Sequence, residues 1–297
     1  MGSIVISTLI NGLSLGAVYA LIALGYTMVY GIAKMLNFAH GDIIMVGSYA
    51  IYFVANLFVP SSVFGPIIAI FAAIVVCVIL GVTIERAAYR PLRGAPSLSV
   101  LITAIGVSYL LQSLAQIIFG ATPVTVTTFD FSSVEIGGIS IKIQSSITLA
   151  VGIAIMVFLN LFVKNSRTGR AMLAVSEDNG AAKLMGINVN RTIAVTFAIG
   201  AALAAVAGLF SLFISPVTSP TFGAMPGIKA FVAAVLGGIG SIPGAAVGGL
   251  ILGIVEQISL SIPVLAPYSD AIVFSVLIIV LLVKPTGILG KKRNEKV

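Results

Sequence analysis

From residue 4 to residue 283 this chain is a succession of long apolar runs parted by short polar breaks. The runs fall at 4–33, 41–59, 65–85, 97–119, 146–163, 191–214, 228–260 and 268–283. A helix needs about 20 consecutive apolar residues to cross the hydrocarbon core of a bilayer, and most of these runs reach that length. A soluble fold cannot absorb them. Only 8% of the residues are charged, against about 25% in ordinary soluble domains, too few to coat a surface. The expectation is an all-α polytopic membrane protein with about eight transmembrane helices in one transmembrane domain. The apolar N-terminus carries no basic stretch and is read as the first span, not as a cleaved signal. The longest segment without a strong apolar run, 121–147, is too short for a core of its own.

Charge placement predicts the orientation. Arg86, Arg90 and Arg93 follow the third run, and Lys164, Arg167, Arg170, Lys183 and Arg191 lie between the fifth and sixth. Lys284, Lys291, Lys292, Arg293 and Lys296 follow the last run. The positive-inside rule puts these segments in the cytoplasm, so the formal net charge of +7 reports membrane orientation and not nucleic-acid binding. Counting crossings back from Arg86 puts the N-terminus outside. Counting forward, the C-terminus is cytoplasmic only if the run 228–260 is broken. That run contains Gly237-Gly238-Ile239-Gly240-Ser241-Ile242-Pro243-Gly244, and glycine and proline at this density interrupt a helix. A broken or re-entrant segment near 228–244 is therefore expected, with Gly240, Pro243 and Gly244 at the break. A packing kink explains the same glycines. So does backbone lining a wet cavity, which would point to transport.

Several chemistries are excluded. One cysteine, Cys77, and one histidine, His40, leave no internal disulfide and no cysteine or histidine metal cluster. There is no G-x-x-x-x-G-K-[ST] loop for nucleotide phosphates and no H-E-x-x-H or G-x-S-x-G motif, so neither an enzyme nor a bound cofactor is expected. Glu256 and Asp270 are read as solvated charges at span boundaries, and Lys229 as a lysine snorkelling to the interface. No ionisable coupling site is expected at mid-span, which argues against an ion-coupled secondary transporter or channel.

Three places could carry function. Ser108, Gln112 and Gln116 recur every fourth residue and form one polar stripe, which lipid would not tolerate. It serves either helix-to-helix hydrogen bonding or the lining of a path. Asn37, His40 and Asp42 sit in the first cytoplasmic connection. Asp42 is read as favouring a helix N-terminus, and His40 as either a cap or a polar gate. The segment 164–191 is predicted to hold a short amphipathic helix, with Ser176 as its N-cap and Glu177 and Asp178 in the first turn. Ala181, Leu184 and Met185 would share a face, with Ala182 beside them, and Gly186 would end the helix in the left-handed conformation. Such a helix either lies on the membrane or docks a cytoplasmic partner.

A resemblance bears on these alternatives. Asn179 to Ile187 is similar to the cytoplasmic coupling loop of ABC importer permeases, with Asn179-Gly180 in place of that loop's first acid and alanine. Asn11-Gly12-Leu13, Gly16, Tyr19-Ala20-Leu21, Ala23-Leu24-Gly25, Tyr30-Gly31 and Asn37-Phe38-Ala39-His40-Gly41-Asp42 resemble the branched-chain amino acid permeases of the LivH type. Gly237 to Gly244, Gly248-Gly249 and the closing Lys284 to Gly290 are similar to that family too. The resemblance implies a permease subunit in a prokaryotic cytoplasmic membrane that imports leucine, isoleucine or valine. It implies a second permease subunit, two cytoplasmic ATP-binding subunits that use the ATP, and an external substrate-binding protein as partners. Urea and short-amide permeases share much of the pattern, so a permease for urea or another small polar solute is the alternative.

Overall fold

The computed structural model describes residues 2–58, 65–126, 133–136 and 139–290. Helices α1 (Gly2–Ala33), α2 (His40–Phe58), α3 (Gly65–Ile84) and α4 (Ser97–Phe119) come first. A π-helical turn, Glu85–Tyr89, and a 3-10 turn, Arg90–Leu92, prolong α3. Then follow α5 (Ile143–Asn165), α6 (Arg167–Glu177), α7 (Asn179–Leu184), α8 (Val189–Ile214), α9 (Ala224–Gly237), α10 (Ile242–Ser261) and α11 (Ser269–Val283). Among the described residues 7 helices are long and apolar enough to cross a membrane. The 19-residue α2 and the 14-residue α9 complete the bundle. Two small antiparallel ribbons cap it: β1 (Val124–Thr125) pairs with β4 (Val217–Thr218), and β2 (Ser133–Ile136) with β3 (Ile139–Lys142).

The helices sort into a core and a rim. α1 is central and packs on α10, α8, α5 and α9. Its contact with α10 is a seam of small residues, because association in lipid depends on close van der Waals approach. A Cβ on Gly249 would collide with the backbone of Ala20, and one on Gly253 with that of Gly16. Gly248 lies in the same way against the backbone of Ala233 and Gly237 in α9. At the rim, α3 and α4 expose Phe71, Ile79, Ile102, Leu110 and Ile117. A bilayer accepts these where water would not.

The long run 228–260 is broken as the glycines predicted. α9 ends at Gly237, and Gly238 and Gly240 take φ of +106° and +92°, which only glycine adopts freely. Ser241 then caps α10 by accepting a hydrogen bond from the Gly244 amide at 3.2 Å. Pro243 fits the first turn of α10, where no amide is needed. Gly240 and Gly238 therefore make the break, while Pro243 and Gly244 start the new helix. Gly237 and Gly244 touch backbone to backbone, which closes α9 and α10 into a tight hairpin. Its tip lies against Gly31 near the end of α1.

Candidate functional site

The segment between α5 and α8 holds two helices instead of the single one expected. Ser166 caps α6 by accepting from the Gly169 amide at 2.8 Å. α6 buries Gly169, Met172 and Val175 against the bundle. The cap of α7 is Asp178 and not Ser176: its Oδ1 accepts from the amides of Gly180 at 2.6 Å and Ala181 at 3.0 Å. Ser176 lies in the last turn of α6, where its hydroxyl donates to the Leu173 carbonyl at 2.7 Å, and Glu177 ends that helix. The expected cap fails because α6 runs on unbroken through Ser176, and an N-cap requires extended backbone. Asp178 has it, at φ −152° and ψ 115°. Gly186 takes φ +81° and closes the segment. Ala182 is buried, Ala181 exposed, and Leu184 and Met185 are 90% and 82% exposed. Two large apolar side chains thus stand free at the tip of a packed loop.

The same end of the bundle carries a basin of about 660 Å³ lined by Lys34, Arg93, Asn179 and Lys183. Arg93 is held by Glu85 and Asn190. Lys34 ends α1 at φ +57°, and its amide donates to the Tyr30 carbonyl at 2.9 Å.

From here the chain folds inward. Asn37 is buried and accepts a hydrogen bond from the Tyr89 hydroxyl at 2.9 Å. His40 is also buried, its ring edge-on to Tyr26 at 4.8 Å, and a Cβ on Gly25 would meet its imidazole. Gly25 lies two turns inside the end of α1, so α2 begins within the bundle and not at the membrane boundary. Asp42, in the first turn of α2, is buried and accepts from Gln112 Nε2 at 2.9 Å. Gln112 also donates to Ser108 Oγ at 3.2 Å. The polar stripe of α4 is therefore split: Ser108 and Gln112 meet Asp42, and Gln116 is exposed on the flank.

The charges read as boundary residues prove to be interior. Lys229 is 7% and Glu256 6% exposed. Lys229 Nζ lies 2.7 Å from Glu256 Oε1 and 2.6 Å from Asp270 Oδ1, and the Tyr19 hydroxyl donates to Glu256 Oε2 at 2.7 Å. Only Asp270 is half exposed. Lys229 does not snorkel, because its ammonium is tied to Glu256 and Asp270. A buried unpaired charge is prohibitive, so the four groups must come together. Sequence reading missed Tyr19, Lys229 and Glu256 as partners. The available signal was one charge of each sign within a single apolar run.

Glu256 and Tyr19 also line a cavity of about 360 Å³ between α1, α5, α8 and α10, at the end of the bundle opposite Lys34. Asn11, Ser14, Ser145 and Thr148 add polar groups to its wall. Among the described residues no three His, Cys, Asp or Glu side chains gather to hold a metal.

A helical bundle with apolar flanks, an internally broken helix and charges held inside it defines a polytopic membrane protein of the transport class. The chain belongs to the family described as branched-chain amino acid transport system, permease component, whose profile matches residues 8–281. It is 46% identical over 298 residues to the high-affinity branched-chain amino acid transport system permease protein BraD of Pseudomonas aeruginosa, covering 97% of each chain. It is 46% identical to the permease protein LivH of Escherichia coli K12 over 97% of this chain and 96% of that one. To the probable branched-chain amino acid permease LivH of Methanocaldococcus jannaschii it is 30% identical over 91% and 88%.

Proposed function

We propose that this chain is the membrane-spanning permease subunit of an ATP-driven importer that carries leucine, isoleucine and valine across a prokaryotic cytoplasmic membrane. The observation that carries the reading is 46% identity over 97% of the chain to permeases named for that transport.

In this reading the end bearing Lys34, Arg93 and α7 faces the cytoplasm, as the positive-inside rule requires, and the N-terminus lies outside. Leu184 and Met185 enter a groove on a cytoplasmic ATP-binding subunit, as an exposed apolar helix face suits. Two such subunits, a second permease and an external binding protein complete the assembly. The permease itself binds no nucleotide and holds no cofactor. ATP binding moves α6 and α7, and the motion passes to α5 and α8, to which α6 is packed. The switch between outward and inward openings is driven only by contacts that differ between the two states.

The test is co-purification from membranes in mild detergent, followed by leucine uptake into proteoliposomes. ATP-binding subunits should accompany the wild-type chain and be lost when residues 176–187 are scrambled. Purification of the wild-type chain without them, in a complex that keeps other partners, would sink the reading.

A further inference from the structure

We infer that the cavity between α1, α5, α8 and α10 is a binding site for one α-amino acid with an apolar side chain, held inside a single permease subunit. The inference rests on the importer reading and locates a site for its substrate. Four observations point to it.

The charged cluster at its wall is unbalanced. Lys229 is the one cation facing two carboxylates, Glu256 and Asp270, so the group carries a formal excess of one negative charge. Glu256 is almost fully buried. Each of its oxygens accepts one hydrogen bond, from Tyr19 or from Lys229, and each has a second lone pair to offer. A buried carboxylate with spare acceptors beside a cavity calls for a cationic donor, and an ammonium group supplies it.

The opposite charge stands at the mouth. Lys142, Ser215 and Leu260 line the cavity and are exposed, so this is where it opens. A ligand with its ammonium toward Glu256 and its carboxylate toward Lys142 satisfies both.

The wall also holds an orphan. Thr148 Oγ1 is buried without a hydrogen-bond partner, and Thr148 lines the cavity. Buried hydroxyls in native structures are normally paired, and rotation of the Thr148 side chain toward the cavity would let a polar ligand pair this one. The remaining wall is apolar at Leu15, Val18, Phe213 and Phe222, which suits an aliphatic side chain. The volume of about 360 Å³ lies at the small end of ligand sites, the size range of an amino acid and not of a peptide.

The test is equilibrium binding of radiolabelled leucine to the permease complex in nanodiscs of phosphatidylcholine, without the external binding protein. Leucinamide, which lacks the carboxylate, and 4-methylpentanoate, which lacks the ammonium, serve as competitors, and ATP-driven leucine uptake is measured in parallel. Wild-type protein should bind leucine saturably, with each analogue roughly tenfold weaker or worse, the scale of one charge-assisted contact. Lys142→Gln, at an exposed position that does not threaten folding, should weaken leucine by about tenfold while leaving leucinamide unchanged. Thr148→Phe should fill the cavity and remove binding. Adding phosphatidylethanolamine, whose headgroup also pairs an ammonium with an anion, should leave leucine affinity unchanged. Competition by that lipid would assign the cavity to lipid instead. Leucine uptake with no saturable binding, or with binding indifferent to both substitutions, would overturn the site and leave the importer reading standing. No leucine uptake by the intact assembly would overturn the importer reading itself.

Discussion

At one end of the bundle Lys34, Arg93 and Lys183 line a broad basin beside an exposed helix tip. At the other end Lys229, Glu256 and Asp270 are drawn together from three helices and roofed by Tyr19 from a fourth. The first arrangement keeps cations near water, where lysine and arginine cost little and set orientation. The second buries both signs, where each charge is tolerable only because the others are present. The basic end is therefore a surface built for contact, and substitution there should alter partners more than folding. The acidic end is a structural clasp, and substitution there should alter folding first.

The sharpest way to break this contrast is Lys229→Met. It leaves Glu256 buried with no cation, and removing one partner of a buried pair costs about 3–5 kcal/mol. The variant should aggregate on heating in detergent well below wild type. Adding Glu256→Gln should recover much of the loss, since no buried charge then remains. A single variant as stable as wild type would show that the clasp is solvated. Next comes the seam. Gly249→Leu drives a side chain into the backbone of Ala20 and should cost about 1–3 kcal/mol by overpacking. Gly106→Leu, where a Cβ meets nothing within 4 Å, should be neutral by the same thermal assay. Smaller still, Gln112→Leu removes one hydrogen bond to Asp42 and should cost about 1 kcal/mol. It should lower leucine uptake without lowering recovery of ATP-binding subunits. Gln116→Leu, on the exposed flank, should change neither, and a fall in uptake there would restore the whole stripe to the path.

The two ends were also unequally legible in the sequence. Charges that stay near water remain local signals: Arg86 to Arg93 and Lys164 to Arg191 could be counted between runs. The break at Gly238–Ser241 was legible for the same reason, since glycine acts on its own backbone. The clasp was not. Lys229 and Glu256 are 27 positions apart, and Tyr19 lies 237 positions from Glu256. Nothing local distinguishes a lysine that snorkels from one that is paired inside. The Asp42–Gln112 bond spans 70 positions. Half of that pair was visible as a stripe and the other half only as a cap. Ser176 failed differently. Serine and aspartate are both good caps, and the choice between them fell to how far α6 extends, which packing of Met172 and Val175 decides.

The cap of α7 offers the smallest test and the one most particular to the basic end. Helix α7 has 6 residues, too few to hold together on propensity, so its shape depends on its ends. The amides of Ala181 and Gly180 hold the Asp178 carboxylate below its ordinary range. A carboxylate whose folded value is depressed contributes stability above its unfolded value and loses it as pH falls through the folded value. The cap should therefore be complete from neutrality down to about pH 4 and fail below that. Hydrogen exchange at the α7 amides reads this directly. Wild type and Asp178→Asn, which keeps an acceptor oxygen but cannot titrate, are compared at matched pH so that intrinsic rates cancel. Protection of Gly180 and Ala181 should diverge only in the acid range. Asp178→Ala should lose that protection at every pH and, by letting the helix fray, should loosen the position of Leu184 and Met185. If wild type and Asp178→Asn follow one curve throughout, the charge on Asp178 contributes nothing to α7. The tip would then be positioned by Ala182 packing alone, and the difference between the two ends would reduce to burial.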